Sequence, residues 1–197
     1  MKTTALVLGN GESRKGIDFR SEYPGTFVIG CNGAYKESPD ALVCTDAYMQ
    51  HIIYETGYCK DHFCLFTEWD PIPNYAVDAI AASFNKPIIT HNVVDSESAQ
   101  VAGSEHYVYV THTHPQDMVE SIPEKIMSSG SRALEIACQM GFSEVILLGF
   151  DGMGATNIYQ QDKGYERSTP RAEWVEERNI IKNKFPNINI IEGAVAQ

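Results

Sequence analysis

The sequence predicts an α/β domain whose mostly parallel β-sheet is covered by helices on both faces. Short apolar runs, such as residues 5–8 and 145–148, end directly in glycine-containing loops, which is typical of buried strands. The runs are continuous rather than alternating, and continuous runs are usual in parallel strands that are buried on both faces. Helical periodicity appears between the runs, and strands that alternate with helices indicate an α/β fold.

Eight strands are expected in chain order. Clear apolar runs lie at residues 5–8, 26–30, 41–44, 63–66 and 145–148, and a weaker one at 87–90. Residues 106–110 alternate between apolar and polar side chains, which indicates an edge strand, and residues 188–191 form the last strand.

Two helices have clear signals. In residues 129–140 the apolar side chains fall at helical spacing, and a serine at 128 or 129 can cap the start while Gly141 ends the helix. In residues 171–185, Thr169 and Pro170 supply a start signal, and a rough apolar stripe follows: Trp174, Ile181 and Phe185. Weaker helices are expected at 47–54 and 75–84, and irregular binding loops at 92–105 and 152–170.

Length and composition set the class of protein. The 197 residues suit a single domain, residues 1–197, and the net charge of -11 disfavours nucleic acid and anionic membrane surfaces as partners. No segment approaches the ~20 apolar residues of a membrane span. The odd number of cysteines fits no zinc pattern, and thiols placed among apolar residues (Cys31, Cys44 and Cys138) favour a reducing, cytoplasmic location. A homo-oligomer is compatible with the sequence.

The loops after the first two strands repeat one dipeptide. Gly9, Asn10 and Gly11 follow the first strand, and Asn32 and Gly33 follow the second. Glycines after a strand let the backbone approach a phosphate, and ligands of open α/β sheets bind at the carboxyl ends of strands. Asparagine offers both a donor and an acceptor to a base or a ribose. The alternative interpretation is a pair of ordinary turns, because Asn-Gly is first of all a turn signal.

Two carboxylates and one helix start add further candidates. Asp46 and Asp151 end strands and could hold ribose, hold Mg²⁺ or act as a base; a capping role is the alternative. We expect a catalytic role for Asp151, which lies between a strand and a long polar loop. Ser128, Ser129 and Gly130 open the best helix and could bind phosphate as well as cap it.

The 152–170 loop contributes hydroxyl and cationic side chains. Tyr159, Tyr165, Lys163 and Arg167 could close over an anionic ligand, although a solvated surface loop is the plainer interpretation. His112 and His114 are spaced as a metal pair in an extended segment, but no third ligand is close in sequence, so surface histidines are the expectation.

Three ordered stretches resemble a known family. They are Leu-Gly-Asn-Gly-Glu-Ser at 8–13, Ile-Gly-Cys-Asn-Gly at 29–33, and Ser-Ser-Gly at 128–130 followed by Gly-Phe-Asp at 149–151. This set resembles the bacterial lipooligosaccharide sialyltransferases and the related 6-hydroxymethylpterin pyrophosphokinase-like proteins. The sialyltransferases carry a similar Gly-Asn-Gly-Pro-Ser loop, an Arg-Cys-Asn strand end and a Thr-Ser-Gly helix start.

The resemblance implies a Rossmann-like fold that binds a cytidine nucleotide or a similar ligand, and a transferase that uses a nucleotide-activated sugar donor. It implies nucleotide contacts at Asn10, Asn32, Ser129 and Gly130, and phosphate contacts from tyrosines after Asp151. The chain has no histidine after His114, whereas the sialyltransferases carry a catalytic one in that region. A non-catalytic nucleotide-binding or interaction module, and a Mg²⁺-dependent pyrophosphokinase with Asp46 and Asp151 on the metal, therefore stay open as alternatives.

Overall fold

The computed structural model describes residues 3–46, 49–50, 52–53, 56–67, 88–90, 99–103, 108–112, 119–122, 127–151, 157–159, 161–162 and 171–193. The chain divides into two compact units. Unit 1 comprises Met1–Val43 and Met127–Gln197, and unit 2 comprises Cys44–Ile126. The helix expected at 75–84 lies outside the described residues, as does most of the 152–170 loop.

Unit 1 is built on a parallel sheet. Its strands are β1 (Thr4–Leu8), β2 (Phe27–Cys31), β3 (Ala41–Cys44), β9 (Glu144–Leu148) and β10 (Asn189–Glu192), in the order β10-β9-β1-β2-β3. Each neighbouring pair is parallel. The predicted fold class is confirmed. The chain moves from β1 outward to β3, then returns to the other side of β1 for β9 and β10, which is the strand order of a Rossmann-like sheet.

Helices cover both faces of this sheet. On one face, Phe19 of α1 (Phe19–Glu22) packs against Leu6, Leu8 and Val28 of β1 and β2. On the other face lies α2 (Ser129–Gln139), which contacts β1, β2 and β9 and begins beside Cys31. The third helix, α3 (Arg171–Lys184), packs on α2. None of the described helices is long and apolar enough to cross a bilayer.

Unit 2 contains the remaining strands. β4 (Cys64–Thr67) pairs in parallel with β8 (Val119–Ile122), and β7 (Val108–His112) lies between β5 (Ile88–Thr90), a parallel neighbour, and β6 (Ala99–Gly103), an antiparallel one. The prediction of an edge strand at 106–110 was wrong, because this strand is central in its three-stranded sheet. β6 falls inside the predicted irregular loop at 92–105, and β8 had no strand prediction.

The start and end of α2 agree with the sequence signals. The Ser128 side chain accepts a hydrogen bond from the Ser131 backbone N–H at 3.3 Å, so Ser128 is the N-cap. Past the other end, Gly141 has a φ of +85°, a conformation that glycine adopts without strain. All five cysteines are free thiols and buried, as predicted for Cys31, Cys44 and Cys138.

The carboxyl ends of β1 and β9 are joined through glycine. The Gly9 N–H donates to the Leu148 carbonyl at 2.8 Å, and the Gly11 N–H donates to the Gly149 carbonyl at 2.8 Å. A Cβ atom at Gly9 would overlap the Gly149 carbonyl oxygen. The obstacle is backbone, which cannot swing aside as a flexible side chain does, so glycine is required here.

We therefore expect Gly9→Ala to lower the free energy of unfolding by about 3 kcal/mol, the upper part of the range for overpacking. Gly141→Ala is the matched control, because Gly141 has a positive φ but open space around its Cα; it should cost about 1 kcal/mol. Urea unfolding of both variants measures the difference. Equal losses would contradict the close packing at Gly9.

One buried carboxylate on α2 holds two cations. Glu135 has only 4% of its side chain exposed, and it forms ion pairs with Arg132 and, at 2.8 Å, with Lys184 of α3. Burial acts to raise the pKa of Glu135, but the hydrogen bond from Lys184 and the charges of Arg132 and Lys184 outweigh it and lower that pKa below its usual range. The ion pair with Lys184 ties α3 to α2.

We expect Glu135→Gln to lower the free energy of unfolding at pH 7 by about 1–3 kcal/mol, because the amide leaves the cations without a counter-charge. Since the folded-state pKa is depressed, this stabilisation is complete above the unfolded pKa of about 4.3 and is lost as the pH falls through the folded value. Unfolding curves of wild type and variant should therefore converge in acid. The exposed Glu192 is the control, and Glu192→Gln should cost less than about 1 kcal/mol; a pH-independent loss in Glu135→Gln would contradict the ion-pair account.

Candidate functional site

The order in which strands are added to the sheet of unit 1 reverses between β1 and β9. β2 and β3 follow on one side of β1, and β9 and β10 lie on the other. In open α/β sheets this switch point is where ligands bind, at the carboxyl ends of the strands. Here the loop at Gly9–Gly11 and the loop at Gly149–Asp151 lie side by side at that point. The Asn10 carbonyl also accepts a hydrogen bond from the Ile158 N–H at 2.9 Å, so residues 157–159 return to the same place.

The side chain of Asp151 is hydrogen-bonded to the loop that follows β1. Its carboxylate accepts a hydrogen bond from the Ser13 backbone N–H at 2.8 Å and another from the Ser13 hydroxyl. A Cβ at Gly11 would lie 2.5 Å from the carboxyl carbon of Asp151, so the absence of a side chain at Gly11 makes this approach feasible. In this state Asp151 fixes the short 3-10 helix at Glu12–Arg14.

The Arg14 guanidinium places a positive charge at the same end of the sheet. The guanidinium donates to the Gly9 carbonyl, to Glu37 at 2.8 Å and to the Tyr159 hydroxyl at 3.0 Å, and its side chain is only 3% exposed. The Tyr159 hydroxyl in turn donates to Glu37. Arg14 is thus a fully engaged structural cation, and Tyr159, which the sequence predicted as a phosphate contact, has its hydroxyl in this cluster.

Cys31 precedes Asn32 in the chain and lies close to Asn10. Its thiol donates to the Leu8 carbonyl at 3.3 Å and lies 3.8 Å from Asn10 Oδ1. Burial raises the pKa of Cys31 to about 12, with a small opposing effect of Arg14, so the thiol stays protonated at neutral pH. The sequence assigned Cys31 to the core and gave no sign that it adjoins the site. Its chemistry is that of a neutral donor and not of a nucleophile.

Asn32 has two unusual properties. Its φ is +49°, in the left-handed region that asparagine tolerates better than most residues. Its Oδ1 atom is buried and has no hydrogen-bond partner in the described part of the protein. A buried acceptor without a partner is costly, and such atoms are often explained by a ligand or an ordered water.

The start of α2 completes the group. A Cβ at Gly130 would lie 3.3 Å from the Phe150 ring and 4.0 Å from Cys31 Sγ, so α2 begins directly over the ends of β2 and β9. Ser129 is buried beside Gly130. Ser128 is hydrogen-bonded to α3 instead. Its N–H and hydroxyl donate to Glu177, the hydroxyl at 2.7 Å.

Asp46 and Tyr165 are not part of the described group in unit 1. Asp46 belongs to unit 2, where its carboxylate accepts from the Met49 N–H at 3.0 Å, a capping role. Tyr165 lies outside the described residues, as do Lys163, Arg167 and His114. Within the described ranges there is no group of three or more His, Cys, Asp or Glu side chains that could hold a metal ion.

Comparison with known proteins gives one distant likeness. No family model matches the chain, and no curated protein matches it. Among solved structures, a point mutant of the alpha-2,3/8-sialyltransferase CstII aligns over 96% of this chain and 81% of its own, with 11% sequence identity and a TM-score of 0.46. At this level the comparison assigns no activity to the chain.

The bond between Ser13 and Asp151 can be tested by a double-mutant cycle. We expect Asp151→Ala to lower the free energy of unfolding by about 1–2 kcal/mol, because it removes the partner of both Ser13 donors. Ser13→Ala should cost less, since it removes only the hydroxyl. The coupling energy of the pair should be about 1 kcal/mol. Additive effects of the two substitutions would show that the Ser13 hydroxyl does not stabilise the loop through Asp151, and no loss in Asp151→Ala would show that Asp151 does not hold the loop.

Proposed function

We propose that the protein binds a nucleotide at the carboxyl ends of β1 and β2 and acts as a transferase on a nucleotide-activated donor. The observation that carries the proposal is the position of Asn10, Asn32 and the start of α2 at the ends of β1 and β2. Asn10 Oδ1 lies 3.8 Å from the Cys31 thiol, a Cβ at Gly130 would lie 4.0 Å from it, and Asn32 directly follows Cys31 in the chain. These groups come from three distant parts of the chain. They meet where Rossmann-like sheets bind nucleotides.

The chemistry of the three groups suits the parts of a nucleotide. The amides of Asn10 and Asn32 can pair with a base edge or a ribose hydroxyl, and the buried Oδ1 of Asn32 is an acceptor ready for an N–H or O–H donor. Helix N-termini bind phosphate through amides that are not used within the helix. Gly130 suits this role, because the absence of a side chain lets the phosphate approach the backbone.

A non-catalytic binding role is the second candidate, and one observation favours it. All six histidines of the chain lie between residues 51 and 114, so unit 1 contains none. Asp151 is the remaining candidate base, and both of its oxygens accept hydrogen bonds from Ser13. As a base it would first have to release Ser13.

Cytidine monophosphate is the probe for the binding site. It should bind wild-type protein in calorimetry, and Asn10→Ala and Asn32→Gly should each weaken binding at least tenfold, about 1.4 kcal/mol. Glycine is chosen at 32 because it accepts a positive φ without strain. Asn183→Ala, on the exposed face of α3, is the control and should leave binding unchanged.

Full affinity in both variants would reject the site. If wild-type protein bound neither cytidine monophosphate nor the other nucleoside mono- and diphosphates, the nucleotide proposal would fail as a whole. Release of free nucleotide from a cytidine-activated sugar then separates a transferase from a binding module. A pyrophosphokinase would instead transfer the pyrophosphoryl group of a nucleoside triphosphate to a 6-hydroxymethylpterin acceptor and release nucleoside monophosphate. That assay, run with and without EDTA, tests the Mg²⁺-dependent alternative.

A further inference from the structure

Arg178 of α3 is a buried cation without a strong partner. The residue is 6% exposed, and its Nε atom is buried with no hydrogen-bond partner in the described part of the chain. The nearest carboxylate oxygen belongs to Glu192 and lies 3.8 Å from Nε, too far for a hydrogen bond. That same oxygen already accepts from Lys182 at 2.8 Å. An arginine stays charged in proteins, so its burial needs an explanation.

A second donor lies one helical turn away. Trp174 and Arg178 are four residues apart and therefore share one face of α3. The Trp174 Nε1 atom is also buried without a hydrogen-bond partner among the described residues. Further along the same face, Ile181 is fully buried, so this face points into the protein. Two N–H donors with no acceptor thus occupy positions where a packed helix normally carries apolar side chains.

The surroundings of Arg178 connect it to the candidate site. Its guanidinium lies over the Phe150 ring, 5.7 Å from the centroid. The same ring packs against Gly9 and Gly130, where a Cβ would lie 3.0 Å and 3.3 Å from ring carbons. The neighbouring Glu177 holds Ser128 at the start of α2. Arg178 therefore contacts the same ring as the glycines of the candidate site.

Arg14, also buried among the described residues of unit 1, gives the comparison. Arg14 makes hydrogen bonds to Gly9, Glu37 and Tyr159, so its charge is fully met within the protein. The Nε atom of Arg178 makes none, and its ion pair with Glu192 is long, at 3.8 Å. A protein of net charge -11 that keeps a buried guanidinium N–H without an acceptor has a place for negative charge there.

We propose that Arg178, assisted by the indole N–H of Trp174, forms an anion subsite for a phosphate or carboxylate group of a small ligand. The assignment of that ligand as the nucleotide-activated donor, or its acceptor, rests on the proposed function; anion binding itself does not. A guanidinium binds both oxygens of such a group, which a lysine cannot do with the same geometry.

Inorganic phosphate and acetate are the probes, each compared with chloride at equal ionic strength in thermal unfolding. Wild-type protein should gain melting temperature with phosphate or acetate beyond the chloride control, because a ligand of the native state stabilises it. A larger response to phosphate assigns a phosphoryl group, and a larger response to acetate assigns a carboxylate. Arg178→Met should abolish the specific gain, and Arg178→Lys should weaken the apparent affinity at least tenfold.

The melting temperature of Arg178→Met without added anion, compared with that of wild type, provides the second test. Methionine removes an unmet buried charge, so Arg178→Met should melt at the same temperature as wild type or higher without added anion. Lys15→Met is the control, since it removes one positive charge from an exposed position of unit 1 and should keep the anion response. If Arg178 were only structural, Arg178→Met would melt lower or fail to fold while Arg178→Lys kept the full response.

A lower melting temperature or failed folding of Arg178→Met would overturn the subsite, as would a full anion response in Arg178→Lys. A wild-type protein with no anion-specific gain in melting temperature would overturn it too. Binding of cytidine monophosphate, measured beside the phosphate response, distinguishes the two proposals. Loss of its binding in Asn10→Ala with an intact phosphate response supports both sites. A phosphate response in a protein that binds no nucleotide leaves the subsite standing and removes only the proposed function.

Discussion

The parallel pairing of β1 with β9 is the contact on which the rest of unit 1 depends. The two strands are separated by well over a hundred residues, yet Leu8 lies opposite Leu148, and the hydrogen bonds continue past the strands through Gly9 and Gly11. Because side chains are missing at these glycines, the following loops come close enough for Asp151 to reach Ser13 and for Arg14 to reach the Gly9 carbonyl. The ends of the strands, and with them the candidate site, are assembled by this one close approach.

Two buried arginines show how an acidic protein distributes positive charge. Arg14 is surrounded by a carbonyl, a carboxylate and a tyrosine hydroxyl, so it cross-links the ends of β1 and β2 and stabilises them. Arg178 has an aromatic ring beneath it and a carboxylate at 3.8 Å, and neither replaces the hydrogen bonds that a buried guanidinium loses from water. The difference separates a cation that builds the fold from one that remains ready for an external partner.

Most of the sheet was predictable from the sequence. The continuous apolar runs at 5–8, 41–44 and 145–148 have few possible structures other than a buried strand in a protein of this size. The strand β6 was not, since Ala99–Gly103 has little β propensity and depends on pairing with β7. Asn10 and Asn32 were predicted at strand ends, whereas the neighbourhood of Cys31 depends on tertiary contacts that no local pattern encodes. One signal was present for Arg178: it falls on the stripe that also contains Trp174 and Ile181, where a charged residue is out of place.

The composition of unit 1 also limits how a transfer reaction could proceed there. Unit 1 has no histidine, Cys31 is held protonated, and Asp151 is bonded to Ser13, so strong bases are scarce around Asn10 and Asn32. A nucleotide-activated donor, however, needs help chiefly in the departure of its phosphate, which carries the growing negative charge. Helix amides at Gly130 would act on that charge without any proton transfer. Catalysis at this site would therefore depend on stabilising the leaving group, with the acceptor activated weakly or by its own chemistry.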